Sequence, residues 1–304
     1  MLARPAAILL SHVAGLGPKL ADAIRTIAPD VLVVRGTVVD AATIAASSLG
    51  LIVRAGAGLN TIDVAAAQAA GIEVANCPGL NAIAVAELTM GLILALDRRI
   101  PENVSELRAG RWNKKEFSKA RGLYGRTLGL IGYGSIGEEV ARRAQAFGMA
   151  VLVWSRRFTS GEVAAPDGAN ITALPMAEDV AARADVLSVH LALTPETRHF
   201  VGRRIFERLR PGAMFVNTAR ADVVDTSALE EAVRTRGLRV ALDVFSPEPP
   251  SSEGVFHDPL IDLPGVIGTH HIGGSTDQAQ EAIAQKVVEI IRNWSRHDHR
   301  NAHS

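Results

Sequence analysis

The sequence predicts an α/β chain of two doubly wound parallel-sheet domains, one inserted in the other. Three observations predict it. Short β-like runs alternate with helix-like runs along most of the 304 residues, the pattern of βαβ units in a parallel sheet. An apolar run, a G-x-G-x-x-G turn and a helix-like segment follow one another over 127–147. A long helix at 81–99, apolar on nearly every face, separates two series of alternations and is therefore buried between layers or domains.

The first series places strands at 6–10, 31–34, 51–53 and 72–75 and helices at 18–27, 41–47 and 64–70. Gly71 stands where a C′ glycine closes the last of these helices. Asn81 is the N-cap of the long helix, and Pro101 ends it and opens another to about Ala109. From Thr127 the strands are 127–131, 151–154, 186–189, 214–216, 240–242 and 266–268. Helices fall at 138–147, 176–182, 203–208 and 227–235. An amphipathic helix from 276 to about 294 returns the chain to the first domain, and 295–304 is a loose polar tail with His297, His299 and His303 in solvent. The domains expected are 1–99 with 276–304, flavodoxin-like, and a Rossmann-type nucleotide domain at 100–275.

Bulk properties exclude several classes. The chain is 48% hydrophobic, enough for a large core. Its 32 basic and 32 acidic residues are spread out, which argues against a nucleic-acid partner. Cys77 is the one cysteine, so there is no intrachain disulfide and no cysteine zinc site. The start of the chain lacks a convincing signal peptide, and the longest apolar run, 88–96, is too short to span a bilayer. A cytoplasmic protein without membrane partner or metal is expected.

The glycine turn carries the first chemistry. Gly132 allows a tight turn, Gly134 lets the backbone approach a pyrophosphate, and Gly137 lets helix pack close on strand. The helix start offers unpaired N–H groups to phosphate. Ser155-Arg156-Arg157 follows the next strand, where an acidic residue usually holds the ribose hydroxyl of NAD. Two arginines suit a 2′-phosphate instead, so NAD or NADP is the expected cofactor, with NADP favoured. Arg220, in Asn217-Thr218-Ala219-Arg220, stands at a strand end where its planar fork can hold a carboxylate. Asp243 ends the next strand, and Glu248 sits in a proline-stiffened loop. His270 and His271 precede Gly273-Gly274, and a histidine can move the proton that accompanies hydride transfer. Adjacent histidines without an H-x-x-x-H or cysteine partner are a poor metal site. Arg54-Ala55-Gly56-Ala57-Gly58 is either a small-anion nest or a turn that needs glycine. Cys77 reads as a buried, unreactive thiol, and His190 as a satisfied core histidine.

These stretches resemble the D-isomer-specific 2-hydroxyacid dehydrogenases, closest to the D-3-phosphoglycerate dehydrogenases. The matching residues are Val53 to Asn60, Asn76 to Gly79 with Val85 to Leu88, Gly132 to Gly137, His190 to Thr197, Val216 to Arg220 with Val223 to Asp225, Asp243 to Pro249 and His271 to Thr276. The resemblance implies that Arg220 binds the substrate carboxylate and carbonyl, that His271 is the acid/base and that Glu248 orients it. It also places Cys77, Leu191, Thr218, Ala219 and Asp243 at the nicotinamide, and Ser135 and Ile136 on the pyrophosphate. Substrate is expected at Arg54 to Gly58, in a cleft between the domains, and a homodimer is expected. Ala221, His270, Ala192 and Ser155 depart from the family pattern, and the interval from Arg220 to Glu248 is one residue short. The C-terminal regulatory domain of many phosphoglycerate dehydrogenases is missing from the sequence, so serine feedback is not expected. The implied reaction is hydride transfer between NAD(P) and a D-2-hydroxy acid, first 3-phosphoglycerate, with Lys114, Lys115, Lys119 or Arg54 for its phosphate. The alternatives are an NADPH-dependent glyoxylate or hydroxypyruvate reductase and, in another class, an NAD(H)-sensing corepressor. Glu248, where formate-oxidising relatives carry glutamine, speaks against formate.

Overall fold

The structure, a computed structural model, describes residues 8–11, 17–159, 171–249 and 253–301. Positions 6 and 7 of the first expected strand and His303 lie outside them, as do the side chains of His297 and His299. The chain divides into two compact units, 1–81 with 249–255 and 275–304, and 82–248 with 256–274.

The first unit runs β1 (Ile8–Ser11), α1 (Gly17–Ile27), β2 (Val31–Val34), α2 (Ala41–Ala45), β3 (Leu51–Arg54), α3 (Val64–Ala69) and β4 (Glu73–Asn76). All four strands are parallel, with Val31 opposite Leu51 and Leu51 opposite Glu73. The unbroken apolar runs of β2 and β3 are buried on both faces, as parallel strands are. Leu32, Val34 and Ile52 pack against Leu20, Ile24, Ile44 and Ala67 from the helices. Val31, Val33, Leu51 and Val53 pack on the other face against Ile283 and Val287. The Asp40 and Asp63 carboxylates cap α2 and α3 by accepting the N–H groups of Thr43 and Ala66. The strand order among the described residues is β1-β2-β3-β4. Only Ala28, Pro29 and Asp30 separate α1 from β2, so β1 and β2 are successive strands and pair as neighbours.

The second unit begins with α4 (Ala82–Arg98), α5 (Ile100–Arg108) and α6 (Lys114–Phe117). It continues with β5 (Thr127–Ile131), α7 (Ser135–Ala146), β6 (Ala150–Trp154), α8 (Arg156–Thr159), β7 (Ile171–Ala173), α9 (Ala177–Arg183), β8 (Val186–Val189) and α10 (Arg203–Phe206). Then come β9 (Met214–Asn217), α11 (Thr226–Arg236), β10 (Arg239–Leu242) and β11 (Val266–Gly268). The seven strands are parallel in the order β11-β10-β9-β8-β5-β6-β7. The chain enters mid-sheet at β5, winds outward to β7, crosses back to β8 and winds the other way. That is Rossmann order, with the switch point between β5 and β8.

The sequence predicts the unit boundary after residue 99; the structure places it after 81. The cause is the all-round apolar surface of α4. Its Ala86, Met90, Leu92, Ile93 and Leu96 share one buried cluster with Leu128, Leu130, Val140 and Val216, and the helix packs on α7, β9 and β10. The last helix, α12 (Asp277–Asn301), belongs to the first unit and runs past the expected end near 294. Among the described residues no helix is long and apolar enough to cross a membrane.

Charged residues gather where the strands of the second unit begin. Asp97, 3% exposed, accepts from Arg126 Nη1 at 3.0 Å and from the Gly122 N–H at 3.1 Å. Asp185, just before β8, accepts the Thr127 N–H at 3.0 Å and Arg210 Nη1 at 3.2 Å.

Candidate active site

At the C-terminal ends of the same strands lies the glycine turn. Gly132 has φ +100°, and a Cβ there would stand 2.4 Å from the carbonyl oxygen of His190 and 3.1 Å from the Leu191 side chain. The turn is therefore pressed against the strand end across the switch point, and only glycine fits. A Cβ on Gly137 would stand 2.7 Å from the Gly132 oxygen, which explains the close helix start. Gly134, by contrast, faces open space, with nothing within 4 Å of its Cβ position. It is the N-cap of the twelve-residue α7 and gives that helix no side-chain cap. Free N–H groups beside open space suit a pyrophosphate. Ser135 is exposed there, while the Ile136 side chain packs into the core and leaves only its backbone for a ligand.

Gly132 N–H donates to Trp154 O at 2.8 Å, tying the turn to the end of β6. Ser155 follows, buried at 6% exposure, and Arg156 and Arg157 are exposed on the short α8. The positions therefore stand beside the turn, with both guanidinium groups on the solvent side.

The second constellation is built on β9, β10 and β11. Asn217 ends β9, 1% exposed. Its Oδ1 accepts the Ala219 N–H at 3.0 Å and its Nδ2 donates to the Arg220 carbonyl at 2.9 Å. This two-sided clamp fixes the turn that presents Arg220. Thr218 Oγ1 is 2.9 Å from Thr89 Oγ1 on α4, both buried. Asp243, 1% exposed, follows β10. Its Oδ1 accepts from Thr269 Oγ1 at 2.6 Å and from the Ile272 N–H at 2.9 Å; its Oδ2 accepts the Gly273 N–H at 2.8 Å. Asp243 thus straps the loop after β11, whose next residue is Gly274.

That loop carries His271, in the left-handed region at φ +52°, a conformation a non-glycine residue holds only when its surroundings impose it. His271 Nδ1 lies 2.8 Å from Glu248 Oε2, and Phe245 N–H donates to Glu248 Oε1 at 3.2 Å. Burial pushes the Glu248 carboxyl up, but the hydrogen bond and charge of His271, the Phe245 amide and the Arg220 charge outweigh it and leave its pKa lowered. An ionised Glu248 only accepts, so His271 donates to it from Nδ1, and Nε2 lies on the other side of the ring. Burial lowers Arg220 from the ordinary arginine value, and the Glu248 charge opposes this. Arg220 Nη1 donates to the Ala219 carbonyl at 2.6 Å.

His190 follows β8. Its Nε2 is 2.9 Å from Ser188 Oγ, its Nδ1 is buried without a partner, and burial pushes its pKa down to about 3. It is a neutral interior histidine with one nitrogen unsatisfied, where the sequence predicts a satisfied one.

The remaining expected residues lie in the first unit. Gly56 has φ +151°, and the Arg54 guanidinium lies directly over it, filling its Cβ position. Asn76 Nδ2 donates to Ala57 O at 2.6 Å and Cys77 N–H to Gly56 O at 2.9 Å, so β4 braces the Ala55–Gly58 turn. Cys77 is 1% exposed and burial raises its thiol pKa, as an inert thiol requires. Among the described residues no group of three or more His, Cys, Asp or Glu could hold a metal. Asn217, Thr89 and Thr269 are working residues that the sequence reading did not single out. Asn217 alone carried a local signal, an amide at a strand end accepting from the N–H two residues on.

A Rossmann-ordered sheet with an open glycine turn at its switch point defines a dinucleotide-binding α/β protein. Residues 90–273 match the profile of the D-isomer specific 2-hydroxyacid dehydrogenase, NAD binding domain. The chain is 44% identical over 266 residues to a D-3-phosphoglycerate dehydrogenase of Methanocaldococcus jannaschii, covering 86% of this chain and 49% of that protein. It is 42% identical over 269 residues to a hydroxypyruvate reductase of Thermotoga maritima, covering 86% and 83%. A glyoxylate reductase from Paecilomyes thermophila superimposes with TM-score 0.78 at 27% identity, over 95% of each chain. The chain belongs to the D-isomer specific 2-hydroxyacid dehydrogenase family. It spans about half the length of the phosphoglycerate dehydrogenase relatives it matches.

Proposed function

We propose that the protein is an NAD(P)-dependent D-2-hydroxyacid dehydrogenase, with 3-phosphoglycerate and 3-phosphohydroxypyruvate as its first substrate pair. The observation that carries this reading is the His271–Glu248 hydrogen bond of 2.8 Å beside Arg220. A nicotinamide coenzyme bound there would supply the hydride acceptor in oxidation and the hydride donor in reduction. The open space at Gly134 and the uncapped start of α7 fit its pyrophosphate. In oxidation His271 accepts the hydroxyl proton at Nε2, and Glu248 stabilises the imidazolium that forms. In reduction the same nitrogen donates. Arg220 holds the carboxylate and polarises the neighbouring carbonyl. On the resemblance, Arg54 to Gly58 are assigned to the substrate, and Cys77, Leu191, Thr218, Ala219, Asp243, Gly273 and Gly274 to the coenzyme. The protein is proposed to be cytoplasmic and to act as a homodimer, and the exposed Trp112 and Tyr124 support a surface for self-association.

A second reading, an NADPH-dependent glyoxylate or hydroxypyruvate reductase, is favoured by the paired exposed Arg156 and Arg157 and by the hydroxypyruvate reductase relative. One experiment tests both: oxidation of NADH and NADPH against phosphohydroxypyruvate, hydroxypyruvate, glyoxylate and pyruvate, with His271→Ala as control. Turnover that falls about 10²–10⁴-fold in the control is expected for loss of an acid/base. The best acceptor and coenzyme choose between the readings. Absence of turnover on all four acceptors with coenzyme still bound overturns both and favours the sensor.

A further inference from the structure

The seven-stranded sheet has a second recess, at the opposite edge from the glycine turn. Where β5, β9 and β10 begin, a cavity of about 290 Å³ is lined in part by Asp97, Arg99, Glu116, Arg121, Arg126 and Arg239. Cationic side chains outnumber carboxylates in its wall by six to two. Both carboxylates are already engaged. Asp97 holds Arg126 and the Gly122 N–H. Glu116 holds Arg99 Nη1 at 2.7 Å and Lys119 Nζ at 2.5 Å. Arg121 reaches out to Asp185 at 3.4 Å.

Two guanidinium groups keep donors that no group among the described residues accepts. The Arg239 guanidinium, half-buried at the start of β10, has no hydrogen-bond or ion-pair partner among the described residues, while the Arg239 N–H donates to Ala213 O. Arg126 is 8% exposed, and its Nε is buried without a partner. Burial lowers the pKa of both; at Arg239 the charges of Asp97 and Glu102 oppose this while those of Arg99 and Arg126 add to it, and at Arg126 the charges of Asp185 and Asp97 oppose it. Burying cations costs free energy unless an anion compensates them, and guanidinium forks match the oxygens of a phosphate.

We propose that this cavity binds a phosphate dianion, free or as a small monoester, with Arg239 and Arg126 as its principal ligands. The site is separate from the coenzyme turn, which lies at the other ends of the same strands. It calls for an oxyanion rather than a nucleotide, because none of its walls offers an aromatic face except Phe117, which already lies under Arg99 at 4.9 Å.

The test is thermal unfolding of the whole protein at pH 7.5 over 0 to about 20 mM inorganic phosphate, and separately glycerol 2-phosphate, with ionic strength held by sodium chloride. A ligand at about ten times its Kd is expected to raise Tm by roughly 2–4 °C, saturably. Arg239→Gln is expected to lose most of that rise and Arg239→Lys to keep part of it. Arg234→Gln, which removes an exposed pair with Glu230 on α11, is expected to behave as wild type. Any phosphate response from the glycine turn is common to all four proteins and cancels in the comparison. The stronger of the two probes identifies the source of the dianion. A wild-type Tm with no saturable rise on either probe, or a rise that Arg239→Gln retains in full, overturns the proposal.

Discussion

The two edges of the seven-stranded sheet solve the problem of strand ends in opposite ways. At the C-terminal edge the polar partners are mostly backbone: the Ala219 N–H on Asn217, the Ile272 and Gly273 N–H groups on Asp243, and the uncapped start of α7. At the N-terminal edge they are charged side chains: Asp97 with Arg126, and Asp185 with Arg210. Backbone donors leave room, and room is what a ligand crevice needs. Ion pairs fill space and seal the start of the strands, except where arginines outnumber the carboxylates. One edge is thus specified by shape and the other by charge balance, and they should fail differently.

Asp97→Ala is the largest expected break. It leaves Arg126 without its carboxylate, and removing one partner of a buried pair costs about 3–5 kcal/mol. Urea unfolding should show that loss, while coenzyme binding by the folded fraction stays unchanged. Gly132→Ala acts at the shape-specified edge. A methyl 2.4 Å from a carbonyl oxygen, on a backbone at positive φ, should cost about 2–3 kcal/mol. Unlike Asp97→Ala, it should also weaken coenzyme binding, which fluorescence titration would read. Equal coenzyme affinity in the two variants would break the distinction between the edges.

Glu248→Gln tests the chemistry with little change of shape. The expected outcome is a kcat reduced by about 10–100-fold, or roughly 1.4–2.7 kcal/mol, and a narrower pH range. Unchanged rates across pH would refute its role. Because the folded-state pKa of Glu248 is depressed, its contribution to stability is present above the unfolded carboxyl pKa. It is lost as pH falls through the lower folded value, so the variant should lose less stability in acid than wild type does.

His190 is the last test, and its effect is confined to acid. Folding holds it neutral down to about 3, while the unfolded chain protonates it near 6.5. Its stabilisation is therefore complete above that pH. It is lost at up to about 1.4 kcal/mol per unit as pH falls from there toward 3. His190→Gln should flatten that slope in urea unfolding at pH 4–6.5; an identical slope would mean the histidine is not held neutral.

How much of this was legible from sequence follows the range of the interactions. The glycine turn was legible because its signal is contiguous: an apolar strand, three spaced glycines and a helix within twenty-odd residues. A strand such as β2 was legible because burial on both faces leaves an unbroken apolar run. β7 was not, being three residues with no fully buried position, and neither was the single turn of α8. Resemblance brought Glu248 and His271 together, and the structure adds their hydrogen bond. The strap from Asp243 was hidden, since it depends on β10 and β11 being neighbours. So was the left-handed backbone of His271, which no residue type announces. The unit to which α4 belongs was not legible, because an all-round apolar helix says that it is buried, not against what.

The route of the chain has a consequence for synthesis. One face of the first unit's sheet, Val31, Val33, Leu51 and Val53, is covered by Ile283 and Val287 of α12. A ribosome that has delivered all four strands must still make the whole second unit before the cover for that face exists. Until then roughly two hundred residues of intervening chain separate an apolar surface from its own lid, a span over which nascent β-rich structure is open to wrong partners. The middle of this polypeptide can therefore complete its fold before its beginning does.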